Sequence, residues 1–385
     1  MADLTRQPLP FRLELAAELD ALSSQGLHRS LRTAASGLVS FASNDYLGLA
    51  RDPRTTAAAA AAARESGAGA GSSRLIAGTG EPVMHLENRL AAFKGYPAAL
   101  VFPTGYHAAL GAISALAGSG DEVYLDKLDH ASLIDGARLS GAKVHTWPHR
   151  RVERLRRLLQ RPAKGRRLVV ADGLFSMDGD MAPLPELGEL AGRFGAALMV
   201  DEAHATGCLG PAGRGSAEQL GCEHLVHVSM GTLSKALGSQ GGFIAADATT
   251  VEFLINRARS FIYTTAPAPA ILGAALAALE IVRAEPERRQ RLAANAGRLR
   301  TALQSSGFDI GASASHIVPV ILGDNEAALS AAAFLAAQGF LAPAVRYPTV
   351  PRGEARLRLS VSNEHSDSAI DGLVVALAAW RSSRG

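Results

Sequence analysis

The chain has 385 residues, long enough for one large core with smaller attachments. Apolar residues make up 48% and charged residues 19%, which excludes wholesale disorder. The formal net charge is +3, and the two cysteines, Cys208 and Cys222, are too few for a disulfide framework or a cysteine metal cluster. No metal site is expected, and a reduced, cytoplasmic setting fits.

The opening MADLTRQPLP has no basic segment followed by an apolar one, so no secretory signal is expected. Residues 11–25 (FRLELAAELDALSSQ) alternate apolar and polar positions at helical spacing. Such a helix must pack on something, and a second subunit is a candidate. Residues 54–65 form an Ala-rich helix. Residues 67–80 (GAGAGSSRLIAGTG) have a flexible composition, yet their Arg and apolar residues point to an ordered loop near a site. A helix follows over 81–93, opened by a proline.

From residue 98 a strand–helix alternation begins. Apolar runs recur at 99–102, 122–125, 143–146, 167–171, 197–201, 225–229 and 242–246. Helical segments separate most of them. This pattern predicts an α/β fold with a seven-stranded, mostly parallel sheet covered by helices on both faces. Arg is dense over 150–167 (RRVERLRRLLQRPAKGRR). A nucleic-acid patch and a solvated amphipathic helix are the two readings. No aromatic residue interleaves for base stacking, which favours the solvated helix and no nucleic-acid partner.

After Thr265 the pattern changes. Two long helices over 268–284 and 286–306 precede strands at 316–322 and 356–361, a smaller α+β unit. The most apolar stretch, 266–282, contains two prolines and Glu280, so it reads as a buried helix and not a membrane span. The expected division is 1–53 as N-terminal helix and arm, 54–265 as the large domain and 266–385 as the small C-terminal domain.

In such a sheet, ligands sit beyond the carboxyl ends of the strands. The residues following each run are therefore the candidates. PTGYHAAL opens a helix whose Gly105 and Tyr106 amides could hold a phosphate. DKLDHASL places His130 at the next helix start, and DGLFSMDGD carries Ser176 in a loop. DEAHATG places Asp201 at a strand end with His204 three residues on. MGTLSKALGSQGG holds Thr232 and Lys235 among small residues. Singly, each has an ordinary explanation as a cap, core residue or solvated charge. Together, at one sheet edge, they suit pyridoxal phosphate (PLP). A carboxylate keeps the pyridine nitrogen protonated, a lysine forms a Schiff base, an imidazole stacks on the ring, and hydroxyls and amides hold the phosphate.

The motifs VDEAHATG and GTLSKALGSQGG, with FASNDYLGLA (41–50), GAGSSRLIAGTG, DKLDHASLIDGARLSGA, LFSMDGDMAPL, RSFIYTTAPAPA and VRYPTVPRGEARLRLSVSNEHS (345–366), resemble the α-oxoamine synthases. These are PLP enzymes of the aspartate-aminotransferase fold, fold type I. The resemblance covers nearly the whole chain. It implies that Lys235 carries the cofactor, Asp201 pairs with the pyridinium nitrogen, His204 approaches the ring hydroxyl and His130 stacks on the ring. It further implies Ser176 near the cofactor, Thr232 near its phosphate, and the partner subunit's Thr264 or Thr265 completing that phosphate site. Thr349 and an N-terminal arginine, here taken as Arg29, would lie along the acyl substrate. Arg358 would clamp the amino-acid carboxylate.

Within the family the spelling is most like an alanine-using member of biotin synthesis. Such a member joins L-alanine to a pimeloyl thioester on coenzyme A or an acyl carrier protein, as a homodimer with interface active sites. Ser73 stands where the glycine-using aminolevulinate enzyme has Thr, which would leave room for the alanine methyl. One methyl decides only ~1–3 kcal/mol. Ala109 stands where many alanine-using relatives have Asn, so a contact near the cofactor or substrate is expected to differ. Other family members that use glycine, a fold type I aminotransferase and a non-catalytic basic adaptor are the alternatives. The PTVP and RLRL motifs argue against the aminotransferase, and the Asp–His–Lys set argues against the adaptor.

Overall fold

A computed structural model describes residues 10–25, 27–29, 31 and 37–384. Residues 1–9, on which the absence of a signal was expected, lie outside the described residues. Helix α1 (Pro10–Ser24), β1 (Val39–Ser40), α2 (Pro53–Ser66) and α3 (Glu81–Lys94) precede the main sheet. Strands and helices then alternate: β2 (Ala98–Phe102), α4 (Gly105–Leu116), β3 (Glu122–Asp126), α5 (Ala131–Ser140), β4 (Lys143–Trp147), α6 (Val152–Leu159), β5 (Arg167–Asp172), α7 (Leu184–Arg193) and β6 (Ala197–Asp201). A short α8 (Ser216–Gln219) and a 3₁₀ turn (Glu223–Leu225) lead into β7 (Val228–Thr232) and β8 (Gly242–Ala246). The chain continues through α9 (Ala248–Arg257), α10 (Arg259–Ile262), α11 (Pro269–Ala284) and α12 (Pro286–Ser305). It ends with β9 (Ile317–Gly323), α13 (Asn325–Ala337), β10 (Phe340–Leu341), β11 (Ala344–Val345), β12 (Ala355–Ser360) and α14 (Asp367–Ser382).

The seven-stranded sheet has the order β2-β8-β7-β6-β5-β3-β4. Strands β3 to β7 pair in parallel, and β8 runs antiparallel between β7 and β2. The expected mostly parallel sheet is therefore present. Alternate residues leave opposite faces of each strand. Val123 and Leu125 pack with α4 and α5, while Tyr124 between them packs with α6 and α7. Every residue of β3, β7 and β8 is buried, as two covered faces require.

One strand is displaced from its expected position. The run 225–229 predicted a strand, whereas β7 spans Val228–Thr232. Leu225 ends the 3₁₀ turn and packs tightly over Gly188 of α7. Pairing with β6 starts where the His227 N–H donates to the Leu198 carbonyl at 2.9 Å. An alternating apolar pattern cannot separate a half-buried apolar turn residue from the strand that follows it.

The smaller sheet is antiparallel, in the order β11-β12-β9, with α12 and α13 against it and α14 packed on those two helices. Strand β1 joins β10 in parallel, Val39 opposite Phe340. The Ser360 N–H donates to the Phe41 carbonyl at 2.8 Å. The segment around residues 39–46 therefore runs beside the C-terminal sheet. Helix α11 buries Leu272, Ala275, Leu279 and Val282. Among the described residues, no helix is long and apolar enough to cross a membrane. Helix α1 buries no residue, and its Phe11, Leu15, Leu19 and Leu22 are exposed. In the basic stretch, α6 turns Val152, Leu155 and Leu159 inward and its arginines outward.

Candidate active site

The carboxyl ends of β3, β5, β6 and β7 meet at one cavity of about 240 Å³. Its walls include His130, Asp172, Asp201, His204, Thr232 and Lys235. Gly105 and Tyr106 line it too, at the first turn of α4, where a helix leaves its amides unpaired. Thr104 caps that helix through the His107 N–H at 3.1 Å. The cradle is narrow. A Cβ on Gly242 would lie 2.5 Å from the Gly105 Cα, so only glycine lets β8 pass beneath the helix start.

Each side chain is placed by its strand. Asp201 ends β6 directly opposite Asp172 at the end of β5. Its Oδ1 accepts the Ala203 N–H at 2.8 Å. Lys235 follows β7 in a turn closed by the Gly238 N–H to the Lys235 carbonyl, 2.9 Å. Gly238 has φ 57°, and a Cβ there would overlap the backbone of Leu49 and Ala50. This close approach packs the lysine turn against the NDYLGLA segment. His130 caps α5, its Nδ1 2.8 Å from Ser132 Oγ. Thr232 Oγ1 donates to the Gly241 carbonyl at 2.8 Å.

Lys235 Nζ lies 2.9 Å from His204 Nε2. The other ring nitrogen, Nδ1, lies 2.7 Å from the Tyr46 hydroxyl. Tyr46 was not anticipated. It belongs to the quoted FASNDYLGLA motif but is 158 residues from His204 in sequence. Asp172 was also missed, although it directly follows the RLVVA run and opens DGLFSMDGD. Its Oδ2 accepts the His130 N–H at 3.1 Å.

Burial dominates the electrostatics. It raises the proton affinity of Asp201, against the opposing Lys235 ammonium and the Ala203 N–H. It pushes Asp129 and Asp172 further up, and neighbouring carboxyls add to that. Lys235 is shifted down by burial, with Asp201 and Asp172 opposing. His130 is lowered by desolvation, again opposed by Asp201. His204 lies well below its ordinary value, through burial first and then the Lys235 and Arg358 charges. A neutral His204 donates from one ring nitrogen and accepts at the other.

These residues fit pyridoxal phosphate. The buried Asp201 carboxyl lines the cavity, where a ring N–H⁺ would give it a cationic partner. The α4 amides face the same space, and Lys235 reaches it from the carboxyl end of β7 at the same sheet edge. Arg358 is buried nearby, its guanidinium donating to the Ser176 carbonyl, to Ser360 Oγ at 2.7 Å and to Asn44 Oδ1 at 3.2 Å.

Not every expected residue meets in this cavity. Ser176, Ser73, Thr264 and Thr265 are absent from its walls. Ser73 and Thr265 instead pair with each other in an isolated bridge. The loop around Ser73 is ordered by Arg74, which pairs with Glu87 through two contacts of 2.8 and 2.9 Å. Arg29 and Thr349 are brought together, 3.4 Å apart, at an exposed position. Ala109 is fully buried between helices and is not a wall residue, so the contact change expected there is a matter of core packing.

The aminotransferase class I and II family matches residues 36–377. The 8-amino-7-oxononanoate synthase of Anaeromyxobacter dehalogenans is 50% identical over 95% of this chain and 94% of its own. Serine palmitoyltransferase from S. paucimobilis, solved with bound PLP and myriocin, superposes with a TM-score of 0.91 at 33% identity. That match covers 98% of this chain and 99% of that one. The 8-amino-7-oxononanoate synthase of Francisella tularensis superposes with a TM-score of 0.79 at 26% identity, over 91% and 99% of the two chains. With the sheet, the cavity and the lysine in one arrangement, this chain belongs to the aminotransferase class I and II family, among the PLP-dependent enzymes of the α-oxoamine synthase type.

Proposed function

We propose that the chain condenses L-alanine with a pimeloyl thioester, releasing CO2 and free thiol and forming 8-amino-7-oxononanoate. The observation that carries this reading is the convergence of Lys235, Asp201, His204 and His130 on one cavity in a chain half identical to a synthase of that name. The carrier is coenzyme A or an acyl carrier protein.

Bound PLP supplies an aldehyde for amines and a protonated ring that takes up the electron pair left at alanine Cα. Asp201 would pair with the ring nitrogen and keep it protonated. The Gly105 and Tyr106 amides and the Thr232 hydroxyl hold the phosphate, with the partner subunit's Thr264 or Thr265. His130 would cover the ring face, His204 would reach the ring hydroxyl, and Ser176 would lie at the margin. Lys235 would hold the cofactor through its aldehyde, and as a free neutral amine its Nζ would remove the alanine Cα proton and return one to the product carbon. Burial lowers its proton affinity and so favours this base form. Arg358 holds the alanine carboxylate until it leaves as CO2. Ser73 leaves room for the methyl, and Arg29 and Thr349 lie along the acyl chain.

A serine-using reading has one observation in its favour, because the palmitoyltransferase superposes more closely than the Francisella synthase. Superposition reports backbone shape, whereas identity of 50% against 33% reports side chains. Side chains choose the substrate, so the alanine reading is preferred.

We also infer a cytoplasmic homodimer with sites at its interface. Exposed Phe11, Leu15, Leu19 and Leu22 on α1 support a second copy. So does the absence of Thr264 and Thr265 from the walls of their own chain's cavity. The test of function is a substrate matrix of alanine, glycine and serine against pimeloyl, succinyl, acetyl and palmitoyl thioesters. Alanine with pimeloyl thioester should release thiol and CO2 fastest. Fastest turnover with serine and palmitoyl thioester, or with glycine, would overturn the assignment.

A further inference from the structure

His149 stands outside the chemistry described so far. It follows edge strand β4 and lies between two buried carboxyls from different segments. Its Nδ1 is 3.1 Å from Asp126 Oδ1 at the end of β3. Its Nε2 is 3.0 Å from Asp180 Oδ2 in the loop between β5 and α7. Phe175 meets the ring edge-on at 4.4 Å. Arg150 also serves both carboxyls, with its N–H 2.9 Å from Asp126 and its guanidinium 3.0 Å from Asp180. It has φ 56°, the one positive value at a non-glycine residue among those described.

Both segments lead to the active site. Asp126 donates its N–H to Asp129 at 2.8 Å, Asp129 accepts the Asp172 N–H at 2.9 Å, and Asp172 accepts the His130 N–H. On the other side, the loop 175–180 is gripped by the C-terminal sheet. The Ser176 carbonyl accepts Arg358, and Asp178 accepts Arg356 at 2.7 Å. The Gly179 carbonyl accepts the Ala314 N–H at 3.0 Å and Ser315 Oγ at 2.9 Å.

We propose that His149 is a positioning residue that ties the His130 turn to the Ser176 loop, and through that loop sets Arg358 against the carboxylate of the amino-acid substrate. Both ring nitrogens face carboxylate oxygens, so the ring bridges fully only as a cation donating from each. The charged groups facing it are Asp126 from β3, Asp180 from the loop and Arg150 from its own segment. The two carboxylates raise its proton affinity against burial, to about 9. A purely stabilising ion cluster would have the same contacts but would not single out amino-acid binding.

The identity of that substrate rests on the functional reading above. The test uses holoenzyme carrying His149→Gln, which keeps one donor and loses the charge. The KM for alanine should rise about tenfold, with kcat within about threefold and the KM for the acyl thioester unchanged. A folded variant with unchanged KM for alanine, or with kcat and both KM values impaired alike, would overturn the proposal. If His149→Gln does not accumulate folded, Asp180→Asn keeps the ring, breaks the same bridge and must give the same split. Histidine NMR of the wild-type protein supplies a readout free of turnover. The His149 signal should titrate near 9, and lower in Asp180→Asn; a midpoint near the ordinary ~6.5 overturns the bridge. Wild-type protein that turns over no alanine would refute the functional reading while leaving that titration to judge the bridge.

Discussion

His204 joins Tyr46 to Lys235: its Nδ1 is 2.7 Å from the tyrosine hydroxyl and its Nε2 is 2.9 Å from the lysine amine. Gly238 packs the lysine turn on Leu49 and Ala50, and Gly207 brings the His204 segment against Ala236 and Leu47. Tyr46→Phe removes the hydroxyl and leaves a buried imidazole nitrogen unpaired. The expected cost is about 1–3 kcal/mol of stability. Turnover should fall about tenfold as the imidazole loses its fixed orientation beside Lys235. Thermal unfolding and kcat of the holoenzyme read the two effects separately.

Arg74 and Glu87 form a paired contact in which both side chains are nearly buried, and Glu87 Oε1 also accepts the Val101 N–H at 2.8 Å. Arg74→Ala would strand that carboxylate at the edge of the main sheet. A loss of about 3–5 kcal/mol is expected. Arg74→Met with Glu87→Met should recover much of it. Chemical denaturation of the single and double variants checks this.

Ala109 lies in a fully buried position beside Gly136 of α5. Ala109→Asn would place a polar amide in this fully buried position. Stability should fall by about 1–3 kcal/mol. The KM values of the protein that remains folded should stay the same. A changed KM for either substrate would show that the position reaches the site after all.

Alkaline pH should loosen the His149 bridge. Its proton affinity in the fold, about 9, exceeds the unfolded value of ~6.5. The stabilisation is therefore fully present below about 6.5 and is lost as pH rises through about 9. Wild-type Tm should decline across that window, and His149→Gln should lack this part of the decline. Parallel melting curves at pH 6 to 10 measure the difference.

Sequence reading reached the sheet edge because the runs at 122–125, 167–171 and 197–201 end abruptly in polar or charged residues. Asp201, His130 and Lys235 could therefore be placed at strand ends before any contact was known. Strand β7 was read three residues early because Leu225 and Val226 are as apolar in a turn as in a strand. Tyr46 and Asp172 escaped for different reasons. Tyr46 meets His204 only through a long-range packing of glycine against backbone, which local periodicity does not encode. Asp172 looks like a routine strand-end residue until its carboxylate is seen to hold the His130 N–H. Arg358 was named through the family resemblance alone, and its contacts with Ser176 and Asn44 explain why it is held stiffly.

Proton exchange at alanine Cα in D2O, followed by NMR without any acyl thioester, tests the central role of Lys235 most directly. Wild-type holoenzyme should exchange that proton. Lys235→Ala, still loaded with PLP through the phosphate contacts, should show exchange reduced at least ~10³-fold. Exchange at the wild-type rate in Lys235→Ala would contradict the assignment of Lys235 as the base.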